Sequence, residues 1–187
     1  MGQLISSLMD SSYQVVMLGL DDAGKSTVLK SLQQSPDGIH PGPTIGFNIS
    51  KLMASLPMGK KQQCVFWDVS GQENCRWLWK MYVKRTDAII YVVDVANQVR
   101  LDESRDELFN LLQPQIVPLE TPIILLMNKT DLPQEKTNTE INSILGLERL
   151  RHTICCRRSS AITGEGLGNF VDDVAAIVFN AKKGRHR

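Results

Sequence analysis

The chain has 187 residues, one domain on the rough scale of 100 to 200 residues per domain, and 42% hydrophobic with 22% charged residues supply a core, which excludes disorder or a fibrous repeat as its main theme. Twenty-one Lys and Arg against 20 Asp and Glu leave a net charge of +1, so no global basic field argues for nucleic acid as a partner. Four cysteines (Cys64, Cys75, Cys155, Cys156) without a CxxC pair and three distant histidines exclude a legible zinc cage or disulfide framework. The first basic residue is Lys25, and the longest apolar runs are too short to span a bilayer, so the sequence predicts a cytoplasmic or peripherally membrane-associated protein.

Five short apolar runs recur, at Gln14 to Leu20, Cys64 to Trp67, Ala88 to Val93, Pro122 to Met127 and, more weakly, Thr153 to Arg157. Continuous apolarity is what strands buried on both faces of a parallel sheet require. Helical spacing fills Lys25 to Gln34, Leu101 to Leu112, Asn138 to Leu147 and Leu167 to Ala181. One stretch breaks the alternation: Phe47 to Leu56 turns at Pro57, Met58 and Gly59 directly back into Cys64 to Trp67. The pattern predicts an α/β fold, a doubly wound, mostly parallel six-stranded sheet with helices on both faces and one antiparallel edge hairpin. Ser35 to Pro43 reads as a functional loop, and the basic residues Lys182 to Arg187 as a frayed tail.

After the first run, Gly19, Leu20, Asp21, Asp22, Ala23, Gly24, Lys25 and Ser26 satisfy G-x-x-x-x-G-K-[ST], and Thr27 follows. Glycines permit a tight loop whose backbone N–H groups face phosphate oxygens. The helix N-terminus adds its dipole, Lys25 reaches the outer phosphates, and the Ser26 hydroxyl suits Mg²⁺. The fourth run ends in Asn128, Lys129, Thr130 and Asp131, at the strand end where ligands of such sheets sit. Guanine alone presents a ring N–H beside an exocyclic amine, the pair a carboxylate accepts, so Asp131 selects GTP and GDP over adenine nucleotides. A kinase or ATPase reading would return only with tight ATP binding. Asn128 is expected to tie neighbouring loops together and the Lys129 stem to pack on the base. Ser160 and Ala161, after the last run, are expected to offer backbone N–H groups to the base carbonyl.

Between these ends, Asp68 stands where a carboxylate holds Mg²⁺ through water, Gly71 where an N–H senses the third phosphate, and Gln72 where a side chain orients the attacking water. Thr44 follows the Pro/Gly loop, where a hydroxyl closes on Mg²⁺ only with the third phosphate present.

With GLDDAGKST, PTIGFN, WDVSGQE, NKTD and SAITGEGL in order, and Arg76, Leu78, Trp79 and Tyr82 after the third string, the sequence resembles a small GTPase of the ADP-ribosylation factor-like family over essentially its whole length. The resemblance implies the P-loop small GTPase fold and a switch between GDP and GTP forms. It also implies that the hairpin slides in register on GTP binding and expels an N-terminal helix into a membrane. Phe47, Trp67 and Tyr82 match the aromatics that read out the active state, although without the resemblance buried core placement is as good a reading. Implied partners are an exchange factor, a GTPase-activating protein, effectors and a membrane surface, with no nucleic acid.

The N-terminus reads Met1, Gly2, Gln3, Leu4, Ile5, Ser6, which fits M-G-x-x-x-[ST] and makes Gly2 a candidate for myristoylation. Leu4, Ile5, Leu8 and Met9 share one helical face, in a segment too short to be stable alone, which suits a reversible anchor. The expected organisation is an amphipathic segment over 1–12, a GTPase domain over 13–181 and a basic tail over 182–187.

Two residues depart from the family pattern. Asp22 would cost on the order of 2 to 3 kcal/mol if its carboxylate faced a phosphate at about 6 Å, making release fast, and almost nothing if it faced solvent. Ser70 adds a side chain just before Gly71. No Arg precedes Thr44 in the loop, so hydrolysis is expected to be slow unless a partner supplies one. The competing reading is a fast-exchanging, mostly GTP-bound scaffold with negligible hydrolysis.

Overall fold

A computed structural model describes residues 12–34, 42–133 and 136–185. The N-terminal segment with Gly2, and most of the loop Ser35 to Pro43, lie outside the described residues. Six strands form one sheet: β1 (Tyr13–Leu18), β2 (Phe47–Ser55), β3 (Lys61–Val69), β4 (Ala88–Asp94), β5 (Ile123–Asn128) and β6 (Ile154–Arg158), in the order β2-β3-β1-β4-β5-β6. Only β2 and β3 pair antiparallel, with Phe47 opposite Val69 and Ser55 opposite Lys61. The helices are α1 (Lys25–Leu32), α2 (Trp79–Tyr82), α3 (Leu101–Leu111), α4 (Asn138–Leu145) and α5 (Phe170–Arg185).

Alternate strand residues face opposite sides of the sheet, and both sides are covered. Val15, Met17, Ile90, Val92, Ile124 and Leu126 pack with Val28 and Leu29 of α1 and Val174 and Val178 of α5. Val16, Leu18, Tyr91, Val93, Leu125 and Met127 pack with Trp79 of α2, Leu101 and Leu108 of α3, and Ile141 and Leu145 of α4. Each strand side chain thus has helix atoms against it, which is why these runs carry almost no polar residues. Edge strand β2 differs: of its nine residues only Ala54 is buried.

Element ends differ from expectation where local chemistry intervenes. β1 stops at Leu18, because Gly19 and Leu20 already belong to the phosphate loop. β3 begins three residues early, at Lys61, because pairing with β2 needs backbone rather than apolar side chains. Helix α4 ends two residues early, at a left-handed Gly146. The largest correction concerns the tail: helix α5 continues through Lys182 to Arg185. Lys182 Nζ lies 2.8 Å from the Asp87 carboxylate and 5.1 Å from the Tyr13 ring centre, so the start of the expected frayed tail is helical and held against β1. Among the described residues no helix is long and apolar enough to cross a membrane.

Candidate nucleotide site

β1 has β3 on one side and β4 on the other, and the chain leaves them toward opposite faces, so the carboxyl ends of β1, β3 and β4 open a crevice. Residues 19–24 fill its floor and α1 starts directly beyond. Gly24 carries a positive φ of 90° as the residue before α1, and a Cβ there would stand 2.4 Å from Asn128 Nδ2. Glycine therefore serves both the left-handed turn and the close approach of the base-side loop. A cleft of about 320 Å³ opens above, lined by Asp21, Asp22, Gly24, Lys25, Ser26, Thr27, Thr44, Ser70, Gly71 and Gln72. The Leu20 and Ala23 side chains face inward and are buried.

At the phosphate end, Lys25 is 6% exposed and its Nζ donates to the carbonyls of Gly19 (2.9 Å) and Leu20 (2.8 Å). Burial depresses its pKa to about 8, against the opposing pull of Asp68 and Asp21. The Ser26 hydroxyl meets Thr44 Oγ1 at 2.8 Å and donates to Asp68 Oδ2. Asp68 is 1% exposed, burial raises its pKa, and its Oδ1 has no hydrogen-bond partner. An orphaned buried carboxylate oxygen beside two hydroxyls is an oxygen donor set for a small hard cation, so these residues fit Mg²⁺.

The segment after β3 packs directly on the phosphate loop. A Cβ on Gly71 would fall 2.3 Å from the Gly19 carbonyl oxygen, and the Gly71 carbonyl accepts from the Asp21 N–H at 3.1 Å. Ser70 is buried: its N–H donates to the Gly46 carbonyl at 2.9 Å, and its carbonyl accepts from Trp79 Nε1 at 2.9 Å. Gln72 borders the cleft, its N–H 3.4 Å from the Ser70 hydroxyl.

At the base end, Asn128 is 1% exposed; its Nδ2 donates to the Ala23 carbonyl at 3.0 Å, and its Oδ1 accepts from Ser159 Oγ and Ala161 N, both at 3.2 Å. It thus binds three loops together. Asp131 is exposed beside it. Ser160 and Ala161, expected to offer backbone N–H groups to the base carbonyl, have protein partners for both donors in this unliganded fold. The Ser160 N–H is taken by the Glu165 carbonyl at 3.0 Å and that of Ala161 by Asn128, so both residues border the base end with their donors engaged inside the protein.

Asp22 borders the cleft with its carboxylate paired to Lys129. Its carboxylate is 85% exposed and lies 3.3 Å from Lys129 Nζ, which also meets Asp94 at 2.9 Å. Burial works against the Lys129 charge, yet the two carboxylates outweigh it and raise its pKa. Phe47, Trp67 and Tyr82 form a triangle with ring centres 5.4 to 6.0 Å apart. It is a rim cluster rather than a core one: Phe47 is 44% exposed, and Trp67 and Tyr82 are half-buried.

The sequence reading missed Asp94 as a partner of Lys129, and the ion cluster that Arg76 and Arg100 build around Asp21. The one sequence signal was a pair of glutamates, Glu103 and Glu107, spaced for a single helix face; their partner Arg76 lies 31 residues before Glu107.

Residues 1–178 match the ADP-ribosylation factor family. Human ADP-ribosylation factor-like protein 4C is 39% identical over 186 residues, covering 98% of this chain and 96% of that protein. Human ADP-ribosylation factor-like protein 4A is 34% identical over 174 residues, covering 92% and 86%. Among solved structures, the Arl6 BBS3 small GTPase from Trypanosoma brucei with bound GppNp superposes with a TM-score of 0.73 at 27% identity, covering 92% of this chain and 98% of that one.

Proposed function

Because the chain belongs to the ADP-ribosylation factor family of small GTPases, and so binds GTP and GDP as a switch and hydrolyses GTP, we propose that it is a Mg²⁺-dependent switch with slow intrinsic turnover that recruits effectors to a membrane. The observation that carries the proposal is the convergence of Ser26, Thr44 and Asp68 at the phosphate end, with Asp68 Oδ1 buried and unpartnered. Those three residues would hold the ion, Asp68 through water. Bound there, Mg²⁺ neutralises charge on the outer phosphates.

The chain's own groups do the rest. Lys25 exchanges its two loop carbonyls for phosphate oxygens, Asp131 accepts from the guanine edge, and Asn128 keeps the base loop against the phosphate loop. Gln72, at the cleft border, orients the attacking water. Among the described residues no arginine lines the cleft, so turnover is slow until a GTPase-activating protein supplies one.

Three features support coupling of nucleotide to surface. Thr44 and Gly46 immediately precede β2, so closure of Thr44 pulls on the hairpin. That strand buries little, so a change of register by two residues would keep every side chain on its face at small cost. The Phe47, Trp67 and Tyr82 cluster spans β2, β3 and α2 and is positioned to read such a movement as an effector surface. Membrane attachment would come from the 1–12 segment and an acylated Gly2, one chain giving only marginal binding of about 10⁴ M⁻¹.

The competing reading, a fast-exchanging scaffold, needs Asp22 aimed at the phosphates, and the Asp22 to Lys129 pairing argues against it. The test is Mg²⁺-dependent binding and release of GDP, GTP and ATP by purified protein, with single-turnover hydrolysis and flotation on vesicles of acylated and unacylated forms. Tight guanine-only binding, slow GDP release and GTP-dependent flotation of the acylated form are expected. Release on the scale of seconds without a factor, together with negligible hydrolysis, would establish the scaffold reading.

A further inference from the structure

Arg76 follows Gly71 by five residues, in the two-turn 3₁₀ segment Glu73–Leu78, and is only 8% exposed. A guanidinium that deep must spend its donors on protein. Its Nε donates to the Gly71 carbonyl at 2.9 Å, Nη1 to Glu107 at 3.0 Å, and Nη2 to Glu103 at 2.7 Å and Asp21 at 3.3 Å. One side chain therefore touches the switch backbone, the phosphate loop and helix α3. Arg100 closes the figure from the other side, bonding Asp21 Oδ1 at 2.8 Å, the Asp21 carbonyl at 3.1 Å and Glu103 at 2.8 Å. Three carboxylates against two guanidiniums leave neither arginine a free charge to offer a phosphate, and neither lines the cleft.

The consequence lies in the Gly71 carbonyl, which accepts from Arg76 on one side and from the Asp21 N–H on the other. With its carbonyl pinned twice, the Gly71–Gln72 peptide plane has one orientation, and so does the N–H of Gln72, which shares that plane. We propose that Arg76 is a positioning residue for GTP hydrolysis: it fixes the Gly71–Gln72 peptide against the phosphate loop, so that Gln72 meets the outer phosphate in reactive geometry and helix α3 is braced to the same point. The proposal rests on the GTPase reading and adds to it a residue that never contacts nucleotide. A lysine cannot replace the arginine, because a single ammonium retains the charge facing Glu103 and Glu107 but lacks the fork that also reaches the Gly71 carbonyl.

The experiment uses full-length protein and three variants, Arg76→Gln, Arg76→Lys and Glu107→Gln. Readouts are single-turnover hydrolysis of GTP, affinity for GDP, melting temperature, and the tryptophan fluorescence change on replacing GDP by GppNHp. The protein's three tryptophans, Trp67, Trp77 and Trp79, all lie in or beside the segment in question, so the last readout needs no hydrolysis. Arg76→Gln and Arg76→Lys are expected to slow hydrolysis at least tenfold and to shrink the fluorescence change, with GDP affinity within threefold of wild type. Arg76→Lys is expected to melt near the wild-type temperature and still hydrolyse slowly, a separation that a purely structural role does not give. Glu107→Gln is expected to follow in the same direction, more weakly. If Arg76→Gln does not fold, the other two variants carry the test. Wild-type hydrolysis and fluorescence in Arg76→Lys, or a rate loss matched by equal loss of GDP affinity, overturns the proposal. Failure of the GTPase reading looks different, since wild-type protein itself would then neither bind guanine nucleotide nor respond to it.

Discussion

The two ends of the cleft are built on different principles. At the phosphate end the ligand-binding groups are already bonded to one another: Lys25 to the loop carbonyls, Ser26 to Thr44 and Asp68, Gly71 to Asp21. At the base end the scaffold residue Asn128 is buried and triply bonded, while the recognition residue Asp131 stands in solvent. Protein groups thus stand in for ligand at one end and leave the ligand's partner free at the other. Damage at the phosphate end should therefore abolish binding of any nucleotide, whereas damage at the base end should change which nucleotide binds.

The sharpest way to break this contrast is Lys25→Ala. A buried cation whose partners become phosphate oxygens contributes about 3 kcal/mol or more, so affinity for GDP and GTP should fall at least about 100-fold without any change in base preference. Titration with a fluorescent guanine nucleotide, competed by unlabelled GDP and XDP, measures both quantities. Asp131→Asn is the complementary change. Losing a paired carboxylate contact costs about 1 to 3 kcal/mol, or on the order of 10- to 100-fold for GDP. The new amide N–H suits the carbonyl that xanthine carries in place of the guanine amine, so XDP should gain what GDP loses. A parallel loss for both nucleotides would place Asp131 in the structure of the loop rather than in recognition.

The pH response sharpens the contrast at the phosphate end alone. In the unliganded fold Lys25 titrates near 8, below its ordinary 10.5, because burial disfavours its charge. Its contribution to unliganded stability is therefore complete above the ordinary value and lost as pH falls through about 8. Bound phosphates keep the ammonium charged, so above pH 8 binding must take up a proton. Nucleotide affinity should fall about tenfold between pH 7 and pH 9, while between pH 8 and 10.5 the unliganded melting temperature of the wild type should rise relative to that of Lys25→Met. The comparison isolates Lys25, because the buried Cys64 and Tyr91, which titrate at higher pH in the fold and weaken it under alkali, are common to both proteins.

The same two ends show what a sequence can and cannot tell. The phosphate loop, the Asn128 to Asp131 string and the alternation of strand and helix are local patterns, and each is written within eight or so consecutive residues. What escaped depends on pairs far apart in the chain. Arg76 meets Glu107 across 31 residues and Asp21 across 55, and Lys182 finds Asp87 only because α5 crosses the sheet beside β1. The ends of β3 escaped for a related reason: Lys61, Gln62 and Gln63 are polar, and only the facing backbone of β2 makes them a strand. The protein partners of the Ser160 and Ala161 donors escaped because a backbone N–H leaves no trace in sequence of which oxygen takes it.

Asp22 separates the two ends most finely, because it sits on the phosphate loop yet bonds to the base loop. Its carboxylate, at 85% exposure, faces Lys129 at 3.3 Å, and the ammonium keeps Asp94 at 2.9 Å whether or not Asp22 is present. An exposed ion pair contributes about 0.2 to 1 kcal/mol, and solvent screens the carboxylate from any phosphate in the cradle. The two small effects oppose each other: loss of the Lys129 contact loosens the base loop, and loss of the negative charge eases phosphate binding. Asp22→Ala should therefore leave the GDP release rate within about threefold of wild type, with the difference vanishing at 1 M salt. Stopped-flow release of a fluorescent GDP analogue at low and high salt is sufficient. A slowing of tenfold or more would mean that the carboxylate turns toward the phosphates once nucleotide is bound, and the base-loop partnership seen here would then belong to the unliganded protein alone.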